Sequence, residues 1–148
     1  MKDPEIPVLT IQDLGIYQGF EVVDDTIIVK ITPTYTGCPA MDMISVNVRS
    51  AMQDAGFSNV EVKLVLSPTW TTDMISKDGL RKLKAYGIAP PVEKTTDKSY
   101  LTGAEKAVPC PQCDSSNTEM ISHFGSTACK ALYKCLDCKE PFDYFKCY

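Results

Sequence analysis

Cys110-Pro111-Gln112-Cys113 and Cys135-Leu136-Asp137-Cys138 decide how the last part of this chain folds. Each Cys-x-x-Cys pair predicts a tight turn that presents two sulfurs to one ion. The 21 residues between the pairs form the hairpin that brings the two turns together. Four thiolates suit tetrahedral Zn²⁺, with Zn–S bonds of about 2.3 Å. The spacing therefore predicts a zinc-ribbon-like β module with structural Zn²⁺ on Cys110, Cys113, Cys135 and Cys138.

Two other uses of these four cysteines stay open. Disulfides would suit an exported protein, but the start of the chain, Met1-Lys2-Asp3-Pro4, has no apolar core of a signal peptide. No apolar run reaches the roughly 18 residues that a membrane span needs. We therefore expect a cytoplasmic protein, in which thiols stay reduced and the spacing favours a metal. Iron, alone or in a cluster, would suit the same thiolates.

Length and composition predict two domains joined by a linker. The chain has 148 residues, which suits one domain, or a domain of about 90 residues followed by a metal-stapled module. Residues 88–108 are poor in large apolar side chains and carry Pro, Thr, Lys and Gly, a linker composition. We predict a first domain at 1–87, a linker at 88–108 and the ribbon at 109–148. Metal binding would supply folding free energy that so small a ribbon lacks.

The charge of the chain argues against nucleic acid as a partner. The formal net charge is −4 at pH 7, and the ribbon has no excess of basic residues. Modules that bind nucleic acid normally carry a basic patch or stripe. Neither nucleic acid nor a membrane is therefore an expected partner.

Hydrophobic periodicity predicts the architecture of the first domain. Period-two patterns predict strands at 19–23, 26–31 and 60–66, and Val60, Val62, Leu64 and Leu66 should face inward. Spacings of three and four predict helices over about 40–55 and 76–86. The predicted fold class is α+β, a small three-stranded sheet with helices packed on it, followed by the zinc-ribbon-like β module.

A cysteine stands just before the first predicted helix, in Thr36-Gly37-Cys38-Pro39. Pro39 suits the first helical position, which places Cys38 at or beside the N-cap. The helix dipole and first-turn amides would there lower the pKa of the thiol. Cys38 could then act as a nucleophile or a metal ligand, or it could be a buried residue that only caps the helix. The single histidine, His123, lies in the ribbon, which weakens a thiol-enzyme hypothesis more than a metal-carrier hypothesis.

Several other residues allow two interpretations each. Asp3 and Glu5 could supply oxygen ligands, or they could cap a turn. Trp70 could anchor a partner or cover the edge of the core. Cys129 and Cys147 lie outside the Cys-x-x-Cys pairs, and could replace a ribbon ligand, form a second site or serve only in packing.

Longer motifs resemble known families. DPEIPVL at 3–9 and TPTYTGCP at 32–39, in the first domain, resemble the small domain of the SufT-like iron–sulfur assembly family. SPTWTTD at 67–73, FGSTACKALY at 124–133 and EPFDYFKC at 140–147 are similar to the PaaD (PaaJ) family of phenylacetate-degradation proteins. The resemblance covers nearly the whole chain, including the ribbon and the segments that hold Cys129 and Cys147.

The resemblance implies a non-catalytic maturation or assembly factor for the multicomponent phenylacetyl-CoA 1,2-epoxidase of aerobic phenylacetate catabolism. It implies an iron or iron–sulfur transfer site at Cys38 with Asp3, Glu5 and Thr36, and iron or an Fe–S cluster as transient cargo. The expected partners are the oxygenase subunits, especially the reductase that carries flavin and an Fe–S cluster, and a homo-oligomer stays open. The alternative is a scaffold or interaction component of the oxygenase complex that transfers no metal.

Overall fold

The computed structural model describes residues 1–92 and 107–146. The chain divides into two compact units, Met1–Gly79 and Leu80–Cys147. Each unit has its own sheet, of three and four strands, and the predicted α+β class is confirmed. Within the described ranges, no helix is both long enough and apolar enough to cross a membrane.

The first unit is built on a three-stranded sheet of order β1-β2-β3. A hairpin joins β1 to the antiparallel β2, and its turn residues Asp24 and Asp25 have φ of 47° and 61°. β3 runs parallel to β2, so a crossover must connect them, and α1 provides it. The elements are β1 (Tyr17–Val23), β2 (Thr26–Ile31), α1 (Ala40–Asp54) and β3 (Val60–Leu64).

The buried side chains of this unit come from α1, the sheet and the segment that precedes β1. The helix buries Met41, Ile44 and Val48, which recur at helical spacing as predicted. The preceding segment buries five more apolar side chains: Ile6, Leu9, Ile11, Leu14 and Ile16. This segment consists of turns and one isolated β-bridge rather than a helix or strand. Its buried residues therefore follow no regular spacing that could be recognised in the sequence.

Trp70 belongs to the core of the first unit. Its side chain is 5% exposed, and its indole Nε1 donates a hydrogen bond of 2.8 Å to the carbonyl oxygen of Leu14. A buried indole with a satisfied N–H is a packing residue. The core-covering interpretation of Trp70 is therefore the one the structure supports.

Two residues predicted to face the core do not. Leu64 and Leu66 are 51% and 68% exposed. β3 is an edge strand of its sheet, and Leu66 lies beyond the end of the strand. The alternating pattern identified β3 correctly. It could not show how much of the apolar face of β3 is covered by α1.

The second unit contains a four-stranded sheet of order β4-β7-β6-β5. β6 pairs antiparallel with both β5 and β7, and the short β4 runs parallel to β7. Before β4, the chain forms a 3-10 helix (Thr72–Met74) and α2 (Lys77–Tyr86), and the boundary between the units falls within α2. The strands are β4 (Ile88–Ala89), β5 (Thr118–Ser122), β6 (Lys130–Cys135) and β7 (Pro141–Phe145).

One face of this sheet forms the core of the ribbon. Tyr133 and Phe142 stack with ring centroids 5.9 Å apart, beside the buried Val108 and Ala131. Cys110 and Cys135 belong to the same buried cluster. The cysteine turns are therefore attached directly to the apolar core.

The two ends of the predicted linker belong to the second unit. Ile88–Ala89 form β4, and Val108 is fully buried in the ribbon core. Composition did not predict β4, because a two-residue strand is too short to show a hydrophobic pattern and forms only by pairing with β7. Most of the predicted linker, residues 93–106, lies outside the described residues, as does Cys147, and the domain bounds stay a prediction.

Candidate metal centre and the Cys38 site

The two Cys-x-x-Cys turns bring four sulfurs to one point. The sulfurs of Cys110, Cys113, Cys135 and Cys138 all lie within 4.8 Å of one another. Cys110 Sγ is 3.7 Å from Cys138 Sγ, and Cys113 Sγ is 3.6 Å from Cys135 Sγ. All four are free thiols, so the predicted convergence is present and the disulfide alternative is not.

These distances fit a tetrahedral metal ion. A tetrahedron of sulfurs with metal–sulfur bonds of about 2.3 Å has edges of about 3.8 Å. The two measured edges are close to that value. Cys110 and Cys135 are buried whereas Cys113 and Cys138 are exposed, so an ion here would lie at the rim of the ribbon core. The four thiolates would hold Zn²⁺ as a structural ion that joins the two turns.

The electrostatics of the four thiols reflect their crowding. An amide hydrogen bond from Cys138 is the main cause that lowers the pKa of Cys135 to about 7. At Cys138 an amide hydrogen bond from Glu140 favours the thiolate, but desolvation and the neighbouring thiols outweigh it and raise its pKa to about 12. Four thiolates this close repel one another, so a cation is needed before all four ionise.

Hydrogen bonds outside the sulfurs also join the two turns. Asp137, in the second turn, accepts hydrogen bonds from the Ser115 hydroxyl and, at 2.9 Å, from Asn117 Nδ2. The Leu136 amide donates to the Asn117 carbonyl oxygen at 2.8 Å. The Ser115 and Asn117 bonds hold the pKa of the Asp137 carboxyl below its usual range. The cysteine spacing gave no reason to single out Asp137, which stands in the motif at a position that any residue could fill.

The other cysteine described in the ribbon is not part of this group. Cys129 is 4% exposed, and its Sγ lies 3.0 Å from the Thr127 hydroxyl, at the opposite end of β6 from Cys135. His123 is exposed, and its carbonyl oxygen accepts a hydrogen bond from Lys146 Nζ. Cys129 therefore does not replace a ribbon ligand.

Cys38 lies in the first unit, just before α1. The helix begins at Ala40 with Pro39 as the N-cap, so Cys38 lies beside the N-cap, one of its two predicted positions, and Pro39 is one position earlier than predicted. Its amide donates to the Tyr35 carbonyl oxygen, and its carbonyl oxygen accepts from the Met41 amide, both at 3.3 Å. Cys38 is partly buried, whereas Thr36 and Gly37 are exposed in the loop.

The predicted lowering of the Cys38 pKa is wrong. Burial removes water from the thiol and raises its pKa, and the carboxylates of Glu5 and Asp3 raise it further. Hydrogen bonds from the Ala40 amide and Tyr35 oppose that rise but do not outweigh it. The sequence predicted the start of α1 correctly to within one residue. It did not reveal that the carboxylates of Asp3 and Glu5, at the start of the chain, counteract the effect of the helix on the Cys38 pKa.

Asp3 and Glu5 contribute to this site mainly through charge. Asp3 is 6% exposed, and its Oδ1 accepts hydrogen bonds from the amides of Glu5 and Ile6 at 2.9 and 2.8 Å. Asp3 thus caps a turn, which was one of its two predicted roles. Among the described residues, only the four ribbon cysteines form a group of three or more side chains that could hold a metal.

A cleft of about 260 Å³ lies beside the Cys38 loop. Most of its lining consists of the loop that leads from β2 towards Cys38, and Trp70 also lines it. The complete lining is Thr32, Pro33, Thr34, Tyr35, Thr36, Leu66, Thr69 and Trp70. The sequence did not predict this cleft, because Leu66 and Trp70 are distant in the chain from the loop.

Comparison with known proteins matches both parts of the chain. Residues 1–64 match the model of the iron–sulfur cluster assembly protein family, and residues 94–146 match the PaaD zinc beta ribbon domain. An Escherichia coli protein, named as one subunit of a "Putative 1,2-phenylacetyl-CoA epoxidase", is 48% identical over 99% of this chain and 87% of its own length.

Two further matches each cover about half of this chain. A Porphyromonas gingivalis protein named "Fe-S protein maturation auxiliary factor" is 36% identical over 55% of this chain and 78% of its own length. A crystal structure of a domain of unknown function (DUF59) from Bacillus anthracis is 24% identical, with a TM-score of 0.49, and covers 55% of this chain and 79% of that one. The resemblance inferred from the motifs is confirmed. The chain belongs to the PaaD family of phenylacetyl-CoA epoxidase proteins, and it combines an iron–sulfur cluster assembly domain with a PaaD zinc beta ribbon.

Proposed function

We propose that this protein is a non-catalytic maturation factor for a multicomponent phenylacetyl-CoA 1,2-epoxidase, and that it aids insertion of iron or an iron–sulfur cluster. One observation carries the proposal: an iron–sulfur cluster assembly domain and a PaaD zinc ribbon occur in one chain. The names of two relatives, one given as an epoxidase component and one as an Fe–S maturation auxiliary factor, support it.

The proposed transfer residue is Cys38. It is the one cysteine that the first unit contributes among the described residues. It is half-buried, and Thr36 in the same loop lines a cleft. Burial and, to a smaller extent, the nearby Glu5 and Asp3 carboxylates raise its pKa, so the thiol is mainly protonated at neutral pH. A cation that binds the sulfur replaces that proton, and both carboxylates favour the cation electrostatically.

A single thiol holds cargo weakly, which suits transfer. Iron and iron–sulfur clusters are commonly held by several ligands, and Cys38 supplies one. Thr36 and Glu5 are the further residues proposed to assist, but the described residues hold no preformed ligand group around Cys38. In the isolated protein, sulfide and water can complete the coordination of iron bound to Cys38. During transfer the donor or the client would supply further ligands, and the reductase that carries flavin and an Fe–S cluster is the candidate client.

In this proposal the ribbon is a docking module rather than a transfer site. Its four thiols are used up by one structural ion, which leaves no open position for a reacting group. Zinc would keep the ribbon folded while it contacts one of the oxygenase proteins.

A complementation experiment tests the proposal. A strain that lacks the corresponding gene is supplied with the wild-type chain, Cys38→Ala or the matched control Cys129→Ser, and both epoxidase activity and reductase cluster content are measured. We expect activity and cluster content to fall only with Cys38→Ala. Full activity with Cys38→Ala would contradict transfer through this thiol.

The second candidate function is a scaffold within the oxygenase complex, which the name of the E. coli relative, an epoxidase subunit, favours. A scaffold would form a stable stoichiometric complex with the oxygenase proteins and would tolerate Cys38→Ala. Co-purification of such a complex with full activity of the variant would support the scaffold and exclude the transfer role.

A further inference from the structure

The two cysteine turns are connected by side chains as well as by the four sulfurs. Asp137 lies between Cys135 and Cys138 in the second turn, whereas Ser115 and Asn117 closely follow the first turn. Both carboxylate oxygens of Asp137 are used: Oδ2 accepts from the Ser115 hydroxyl, and Oδ1 accepts from Asn117 Nδ2 at 2.9 Å. These two bonds, here called the Asp137 clamp, cross from one turn to the other.

Backbone hydrogen bonds make the clamp part of the turn geometry. The Cys110 amide donates to the Ser115 carbonyl oxygen at 2.9 Å, so Ser115 closes the first turn onto a ligand residue. The Asn117 amide donates to Ser115 Oγ at 3.0 Å, which fixes the hydroxyl that reaches Asp137. A change in Asp137 would therefore be transmitted to the position of Cys110.

We propose that Asp137 is a positioning residue for the four-cysteine site. Its clamp holds the two turns in register without a metal, so that the four sulfurs are close together before an ion arrives. Bringing the turns together costs conformational entropy, and a prealigned site has less of that cost left to meet when the ion binds. The prediction is tighter binding and slower release of Zn²⁺ than the four thiolates alone would give.

The proposal is tested by zinc competition on the full chain. The affinity for Zn²⁺ is measured against a chromophoric chelator for wild type, Asp137→Ala and Asp137→Asn. Changes in groups behind metal ligands typically cost 10–100-fold in affinity, and we expect about tenfold for Asp137→Ala because the clamp is exposed to water. Glu119→Gln is the matched control, since it removes one exposed charge of the same ribbon and, among the described residues, breaks no side-chain hydrogen bond. Its affinity should stay within about twofold of wild type.

Asp137→Asn separates geometry from charge. An asparagine can accept from Asn117 through its oxygen and donate to Ser115 Oγ through its nitrogen, so the clamp is kept while the charge is lost. We expect Asp137→Asn to retain most of the affinity and to give a Co²⁺ absorption spectrum like that of wild type. Equal weakening in Asp137→Asn and Asp137→Ala would overturn the clamp in favour of simple charge attraction.

A double-mutant cycle tests whether Asp137 acts through Ser115. If it does, the losses of zinc affinity in Ser115→Ala and Asp137→Ala will not add in the double variant. The zinc-saturated variants should keep the far-ultraviolet circular dichroism of wild type, because the clamp positions the site rather than forming the sheet. Additive losses, or an Asp137→Ala affinity equal to that of Glu119→Gln, would overturn the proposal.

Discussion

Cys110 Sγ and Cys138 Sγ lie 3.7 Å apart although 28 positions separate the two residues in the chain. β6 and β7 carry one turn, and the chain that enters β5 carries the other, so the sheet sets this distance. A metal ion between the sulfurs would tie the ends of the ribbon together. The stability of the ribbon should therefore depend on the ion.

Replacement of the buried ligand Cys135 tests that dependence. We expect Cys135→Ser to lose nearly all bound zinc, because structural zinc contributes about 10–16 kcal/mol of binding free energy in small zinc modules and the fourth thiolate is needed for it. Zinc content by mass spectrometry and amide dispersion in NMR spectra of the second unit would measure this loss. The matched control is Cys129→Ser, a buried cysteine of the same unit outside the metal group. Loss of zinc in the control as well would contradict the assignment of the ligands.

The reactivity of Cys38 should follow its raised pKa. At any pH below that pKa the thiolate fraction is smaller than in free cysteine, so alkylation by iodoacetamide should be slower and should keep rising above about pH 9. Peptide mapping by mass spectrometry reports the rate at Cys38 separately from the other thiols.

Glu5→Gln should increase that rate. The carboxylate of Glu5 raises the Cys38 pKa, so its removal enlarges the thiolate fraction at about pH 8. Glu61→Gln, an exposed change on β3, serves as the control and should leave the rate unchanged. A faster reaction of wild-type Cys38 than of free cysteine would contradict this, because it would mean that the N-terminus of α1 lowers the Cys38 pKa more than burial and the carboxylates raise it.

Ile44 tests the core of the first unit. Its side chain is fully buried on α1, and Ile44→Ala should destabilise the unit by about 2–5 kcal/mol through lost burial and a cavity. Val46 is on the same helix but 61% exposed, and Val46→Ala should change stability by less than about 0.5 kcal/mol. Urea denaturation of the zinc-loaded protein would measure both, and similar costs for the two variants would contradict the packing of α1.

Gly15 tests the packing of the segment before β1. Its φ is 68°, and an added Cβ would lie 2.5 Å from the backbone carbonyl oxygen of Met74. Gly15→Ala should therefore lower the free energy of unfolding by more than the roughly 1–3 kcal/mol that left-handed backbone strain alone would cost. Gly19 also has a positive φ, but nothing lies within 4 Å of an added Cβ there. Thermal unfolding should show a clearly larger loss for Gly15→Ala than for Gly19→Ala, and equal losses would argue against this contact.

The parts that sequence predicted well are those with local signals. Cysteine spacing predicted the four-thiol group, and period-two alternation predicted β2 at its observed bounds. The segment of residues 1–16 buries five apolar side chains without any period, so it was not predicted as part of the core. The direction of the Cys38 pKa was also missed, because it depends on burial and on carboxylates about 35 residues away in the chain.

Metal content and visible absorption of anaerobically purified protein, wild type beside Cys38→Ser, test the central claim most directly. After incubation with ferrous iron and sulfide, we expect about one zinc per chain in both proteins, with iron and thiolate-to-iron absorption in the wild type alone. Zinc alone in both proteins, with no uptake of iron, would contradict the carrier role of Cys38 and leave the scaffold function.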